Sequence, residues 1–232
     1  MSAYTIMLCV GVIAMCVITV MRRKKYGMSI WKAIAFSLVL TVIGVLGCKV
    51  LFITENFETV KEQGLTFGGF SFFGAVFLIP ICFLALAKPF GLLAWQAVDC
   101  CAPGVAIMIS LMRIGCFIDG CCGAYPIEMF GQQVVLPVQL FEAAFDFVLL
   151  MLLWHVEDTN KAQGYLYTIF MIAYSVMRFG IEFLRDTPKD WLYLSHGQWF
   201  CVAAIVFSVT YILIMRKFRE KERTDGGIKN EK

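Results

Sequence analysis

Charge is scarce in this chain: Asp, Glu, Lys and Arg make up 16% of its 232 residues. A soluble domain of this length carries nearer to about 25%, so a water-facing surface is excluded for most of the molecule. The chain also lacks a glycine-rich loop of the Walker or dinucleotide type, which argues against a nucleotide site. It has no C-x-x-C motif, which weakens a reading as a thiol–disulfide exchanger. No basic segment precedes the first apolar run and a second run follows almost at once, against a cleaved signal peptide. Internal repeats, linkers and breaks in composition are missing too, and a net charge of +3 gives no sign of nucleic-acid binding.

What is present is apolar. Hydrophobic residues reach 60% and mean hydropathy is +0.77, arranged in runs of the roughly 20 residues that cross a bilayer. Spans are expected at Ala3–Met21, Trp31–Ile53, Gly69–Ala87, Leu92–Met112, Val138–Val156, Gly164–Leu184 and Gln198–Met215. The expected fold is therefore an all-α, seven-helix membrane bundle forming one integral membrane domain over residues 1–232. Arg22, Arg23, Lys24, Lys25, Lys32, Lys88, Lys161 and the tail 216–232 fall on one side. Only Lys61, Arg185 and Lys189 lie in plain loops of the other. The positive-inside rule then puts the N-terminus outside and the C-terminus inside, with the tail a charged, partly frayed cytoplasmic extension.

Several ionisable residues fall inside these spans, where charge is costly and signals a cavity or a pair. Asp99 stands apart. Lys49, Arg113, Glu142, Asp146, Arg178 and Glu182 all fall in the outer halves of their helices. Glu142/Asp146 and Arg178/Glu182 are each four apart and share a helix face. They are expected to converge on a polar chamber near the outer leaflet, where guanidinium groups suit a phosphate, most commonly that of a lipid. The glycines of "GLTFGGFSFFGA" (64–75) fit either close helix packing or an irregular helix entry lining the chamber.

The ordered motifs resemble those of the prolipoprotein diacylglyceryl transferase family. "DCCAPGVAI" and "RIGCFIDGCC" are similar to its D-x-x-A-P and G-R-x-G-N-F-x-N-G elements, through Asp99, Ala102, Pro103, Arg113, Gly115, Phe117 and Gly120. "LPVQLFE" resembles H-P-x-Q-L-Y-E through Pro137, Gln139, Leu140 and Glu142, and "RFGIEFLR" resembles R-x-x-x-E-F-x-R through Arg178, Glu182, Phe183 and Arg185. "GGFSFFGA" and "GQW" complete the order. The resemblance implies seven transmembrane helices in the bacterial cytoplasmic membrane, with the chamber toward the outer leaflet. It implies transfer of the diacylglyceryl group of phosphatidylglycerol to the lipobox cysteine thiol of prolipoproteins, without a cofactor or metal. Arg113, Ser71, Gly69, Gln139 and Glu142 would bind the lipid, and Arg178 and Glu182 would serve the reaction.

The chain departs from the family pattern at telling places. The histidine of G-G-x-S-F-H-G is Phe73 here, and the leading histidine of H-P-x-Q-L-Y-E is Leu136. His196, Glu182 and Glu142 are candidates to replace the lost base. Two signature asparagines are Cys116 and Asp119. Cys116, Cys121 and Cys122 are expected to be structural thiols or to form one disulfide. Their C-x4-C-C spacing lacks the usual zinc pattern and no histidine is near in sequence. A membrane thiol–disulfide oxidoreductase using these cysteines, or a noncatalytic lipid-binding relative, are the alternatives.

Overall fold

The computed structural model describes residues 2–63, 71–129, 132–159, 163–185, 187, 189 and 191–228. Its long helices in chain order are α1 (Ala3–Arg22), α2 (Ile30–Glu55), α3 (Phe57–Gln63), α4 (Phe72–Leu86), α5 (Ala94–Ile118), α6 (Val138–Asp158), α7 (Leu166–Ile181) and α8 (His196–Ile228). Serines start the first two long helices as their residue type favours. Ser2 Oγ accepts from Thr5 N–H at 3.3 Å, and Ser29 Oγ from Lys32 N–H at 3.4 Å.

Among the described residues, six helices are long and apolar enough to cross a membrane, beginning at Ala3, Ile30, Ala94, Val138, Leu166 and His196. The expected third span is shorter than its sequence pattern. Ser71 has extended backbone, so α4 starts at Phe72 and has 15 residues, about 22 Å of helix against roughly 30 Å of hydrocarbon. Gly69 lies outside the described residues. Two other differences concern polar segments. The connection after α5 contains an antiparallel hairpin, β1 (Pro126–Met129) with β2 (Gln132–Val135), which the all-α expectation omits. The tail expected to fray continues α8 as helix to Ile228, in keeping with its Lys, Arg and Glu content and lack of proline.

The bundle is built around α5, which packs along α1 on one side and α6 on the other, while α2 packs on α4 and α7 on α8. Apolar contacts fill the centre; Phe36 stacks on Phe83 at 4.8 Å between centroids. One end is clamped by polar groups. Buried Arg22 of α1 pairs with Glu157 of α6, with Nε to Oε2 at 2.7 Å, and donates to the Cys100 carbonyl at 3.0 Å. Asp99 caps α7 across the bundle, accepting from Gly164 N–H at 2.5 Å and Tyr167 N–H at 3.2 Å. That explains Asp99 without a role in the chamber.

Close packing decides the role of Gly74. A Cβ there would lie 1.9 Å from the Gly47 carbonyl oxygen, and one on Gly47 would lie 2.5 Å from the Gly74 oxygen. Such α2–α4 proximity exists only between glycines. Gly74→Ala should therefore lower the melting temperature in detergent, with a cost at or above the roughly 1–3 kcal/mol of ordinary overpacking. Gly44→Ala, whose Cβ meets only Ala75 Cβ at 3.8 Å, should be neutral or mildly stabilising in the same measurement.

Candidate active site

At the end of the bundle opposite the Arg22–Glu157 pair, four segments deliver charge to one place. The last turns of α5 bring Arg113, the second turn of α6 brings Glu142, the end of α7 brings Arg178, and the short turn that follows brings Glu182 and Arg185. Glu142 is 1% exposed and sits between the arginines. Its Oε2 is 2.9 Å from Arg113 Nε, and its Oε1 is 2.5 Å from Arg178 Nη1 and 3.9 Å from Arg185 Nη1. Glu182 makes a second bridge, 2.8 Å from Arg178 Nη2 and 3.8 Å from Arg185 Nε. Ser195 Oγ lies 3.0 Å from Glu182 Oε1.

These contacts leave the guanidiniums incompletely used. Arg113 Nε, Arg185 Nε and Arg185 Nη1 are buried donors without a hydrogen-bond partner among the described residues. Charge holds them instead, Arg113 Nε at 2.9 Å from Glu142 and Arg185 at 3.8–3.9 Å from Glu182 and Glu142, so the three guanidiniums are fixed as a cationic wall. The cavity is present: a chamber of about 740 Å³ lined by Arg113, Arg178, Arg185, Glu182, Ser71 and Tyr174 among others. An apolar groove of about 430 Å³ runs between α1, α2, α4 and α5 and shares Tyr4, Phe72 and Met112 with the chamber. Anion-binding donors thus meet a hydrocarbon-lined slot.

The expected site residues are placed as follows. Arg113, Arg178, Glu142 and Glu182 converge as their spacing implied. Asp146 is fully buried behind them, and neither carboxylate oxygen has a hydrogen-bond partner among the described residues. Ser71 lines the chamber and its N–H donates to the Cys48 carbonyl at 3.1 Å. Gln139 is a buttress rather than a lining residue; its Nε2 donates to the Cys121 carbonyl at 2.7 Å. Lys49 does not line the chamber and places its ammonium 5.3 Å over the Phe52 ring. His196 is exposed at the start of α8, while its neighbour Gly197 reaches the chamber wall. Phe73 lies in an aromatic cluster, 5.6 Å from Phe200 and 6.3 Å from Tyr174 between centroids.

Arg185 was assigned to a plain loop and instead is 7% exposed within the cluster. An isolated β-bridge between Ala124 and Arg185 and Tyr125 N–H to the Leu184 carbonyl at 3.0 Å fold that loop inward. Its position three residues after Glu182 was the available signal. Tyr4 and Tyr174, also on the wall, carry no charge or motif that marks them.

The segment after α5 has its own logic. Gly120 is left-handed (φ 65), with Gly120 N–H to the Phe117 carbonyl at 3.1 Å and Cys121 N–H to the Cys116 carbonyl at 3.0 Å. This is a Schellman C-cap, which brings the side chains of its third-last and second-following residues together. Those residues are Cys116 and Cys121. The three cysteines 116, 121 and 122 are free thiols, not a disulfide, and line the chamber. The Cys122 thiol is pulled well below its usual range by the Cys116 thiol hydrogen bond, against some burial, with help from Arg185 and Arg113. The preceding Asp119 accepts from Ala3 N–H at 2.9 Å and Tyr4 N–H at 2.8 Å, so it caps α1. The two bonds use separate carboxylate oxygens, so an asparagine here would keep only one of them.

Comparison with known proteins agrees with this geometry. A family model described as prolipoprotein diacylglyceryl transferase matches residues 1–214. Similar relatives include phosphatidylglycerol–prolipoprotein diacylglyceryl transferase 2 of Clostridium perfringens, 28% identical over 96% of this chain and 93% of the relative. The phosphatidylglycerol–prolipoprotein diacylglyceryl transferase of Clostridium tetani is 28% identical over 94% of each chain.

Two outcomes are expected from the site itself. Glu142→Ala strands buried guanidiniums and should cost about 3–5 kcal/mol of stability, read as a lower melting temperature, with Glu142→Gln recovering part of it. Asp119 has its folded pKa lowered, chiefly by the Tyr4 N–H bond. Its contribution is complete above the unfolded value of about 3.9 and fades as pH falls through the folded one. Melting curves from pH 6 down to about pH 3 should show an acid-labile component that Asp119→Asn flattens, while Asp119→Ala is destabilised even at neutral pH.

Proposed function

We propose, from the premise that the chain belongs to the prolipoprotein diacylglyceryl transferase family, that it transfers the diacylglyceryl group of phosphatidylglycerol to a cysteine thiol of prolipoproteins. The observation that carries the reading is the set of three guanidiniums, Arg113, Arg178 and Arg185, lining a chamber that adjoins an apolar groove. A phosphodiester with two acyl chains needs both features together. The seven-span bundle lies in the bacterial cytoplasmic membrane, with α4 as the shortest span. The chamber faces outside, and the basic turn at Arg22–Lys25 and the tail at 216–232 face inside.

In this reading the lipid headgroup enters the chamber and its phosphate oxygens take hydrogen bonds from Arg113 and Arg185. The acyl chains lie along the groove between α1, α2 and α4. A substrate thiolate attacks the glycerol carbon that bears the phosphate ester; the S–C bond forms, the C–O bond breaks, and glycerol phosphate departs with the bonding electrons. Charge grows on the leaving phosphate, where donors fixed in a low-dielectric site stabilise the transition state more than the ground state. Arg178 is the guanidinium of this face, and its two carboxylate partners, Glu142 and Glu182, hold its plane. Ser71 borders the headgroup at the start of α4. Gln139 holds the cysteine turn that forms the outer wall.

The proton of the attacking thiol has no acceptor at position 73, where Phe73 sits among aromatic rings. Glu142 and Glu182 are committed to arginines. His196, one residue from the chamber wall, is the acceptor that fits.

The experiment follows labelled lipid from phosphatidylglycerol to a lipobox peptide, using membranes from a transferase-deficient host. Arg113→Ala and Arg178→Ala should each reduce transfer by about 10²–10³-fold. His196→Gln should lower it by about 10²-fold or more if the imidazole takes the proton, and Lys32→Ala, at the opposite end of α2, should leave it unchanged. Absence of label with well-folded wild-type protein would overturn the transferase reading and favour a lipid-binding relative.

A further inference from the structure

The cysteine turn holds more chemistry than the transfer reaction uses. The reaction needs a thiol from the substrate, yet the chamber wall carries three of the enzyme's own. The Sγ atoms of Cys116, Cys121 and Cys122 all lie within 4.8 Å of one another. Two independent backbone devices produce this. The Schellman turn juxtaposes Cys116 and Cys121 through the Cys121 N–H to Cys116 carbonyl bond of 3.0 Å. Cys122 then adopts a left-handed backbone, φ 60, a conformation that costs a non-glycine residue of order 1 kcal/mol or more and persists where the surroundings require it. That turn sends the third thiol back toward the first.

We propose that Cys116, Cys121 and Cys122 form a three-sulfur site for a thiophilic closed-shell metal ion of the Zn(II), Cd(II) or Cu(I) type. Thiolate sulfur selects soft ions of this kind. With metal–sulfur bonds of about 2.3 Å, three sulfurs around one ion stand about 3.8–4.0 Å apart, so each thiol need move inward by at most about half an ångström. The charge balance fits as well. Three thiolates and a divalent cation leave one negative charge, and Arg185 and Arg113 face the Cys122 sulfur. Gln139 fixes the turn from behind through the Cys121 carbonyl at 2.7 Å, as an outer-shell partner orients a ligating segment. The site is open toward the chamber, leaving a fourth position to water or a substrate sulfur.

A vicinal arrangement invites the rival outcome of a disulfide between two of the three. The ion reading and the bridge reading differ in thiol count and in metal uptake. Both can be read without lipid or peptide, so this test is independent of the transferase assay.

The probe is Cd²⁺, added to the full-length protein purified in detergent under reducing conditions and then freed of reductant without oxygen. Wild type should take up one cadmium per chain, seen by elemental analysis and by a thiolate-to-cadmium charge-transfer band. Each single variant, Cys116→Ser, Cys121→Ser or Cys122→Ser, should weaken binding by more than the roughly 10–100-fold typical of losing an outer-shell partner. Cys9→Ser, on the outer face of α1, should bind as wild type. Melting temperatures of the serine variants close to wild type keep a binding loss from being a folding loss; if Cys116→Ser melts early, Cys121→Ser alone decides, because its side chain is exposed. Equal uptake by wild type and the serine variants would overturn the proposal. So would a wild type that binds no cadmium while all three thiols titrate, or one whose thiols are already joined in a bridge that reductant does not open.

Discussion

Glu142 is the residue on which the chamber depends. Its carboxylate is buried at the start of α6 and reaches guanidiniums from α5, from α7 and from the turn after α7. Three like charges within one small volume repel by several kcal/mol at the effective dielectric of a protein interior. One anion between them makes the assembly tolerable without consuming every donor. The geometry at 3.8–3.9 Å around Arg185 is Coulombic rather than hydrogen-bonded, and the same guanidinium reaches the Cys122 thiol. Glu182 repeats the device on the other side of Arg178.

The constraint extends outward from that carboxylate. Arg113 is held at the end of α5, and the same helix then ends in the turn that carries the three thiols. Asp119 of that turn caps α1, so the wall of the chamber and the start of the first helix are one structural unit. At the far end, Arg22 with Glu157 and Asp99 with the α7 N-terminus fasten α1, α5, α6 and α7 to one another. Polar interactions therefore hold both ends of the bundle, and apolar packing with glycine-to-glycine contact between α2 and α4 fills the middle. The aromatic cluster of Phe73, Tyr174 and Phe200 lies above this middle layer, on the wall of the chamber itself.

Much of the fold was legible because hydrophobic run length translates directly into helix length in a membrane-spanning chain. Lone charges inside those runs were equally informative, since burial of an unpaired charge is so costly that partners must exist. Arg113, Glu142, Arg178 and Glu182 were found that way. Arg185 was not, because a charged residue in a loop is ordinary and only the β-bridge to Ala124 turns it inward. Lys49 differs in the opposite sense: its flexible stem lays the ammonium over the Phe52 ring of its own helix, outside the chamber lining.

What the sequence by itself determined is the membrane-spanning helical character and the set of charges that must be paired, which follow from composition and spacing, and the family, which follows from the ordered motifs it resembles. Tertiary structure alone decided which carboxylate bridges which arginine, that Arg185 joins the chamber wall and that three cysteines of unpromising spacing meet. The physical reason is that a helix cap and a left-handed residue reverse the chain within six positions, and linear spacing carries no record of such a reversal. The same holds for the short fourth helix: a glycine contact with a neighbouring helix sets its position, and that neighbour is distant in sequence.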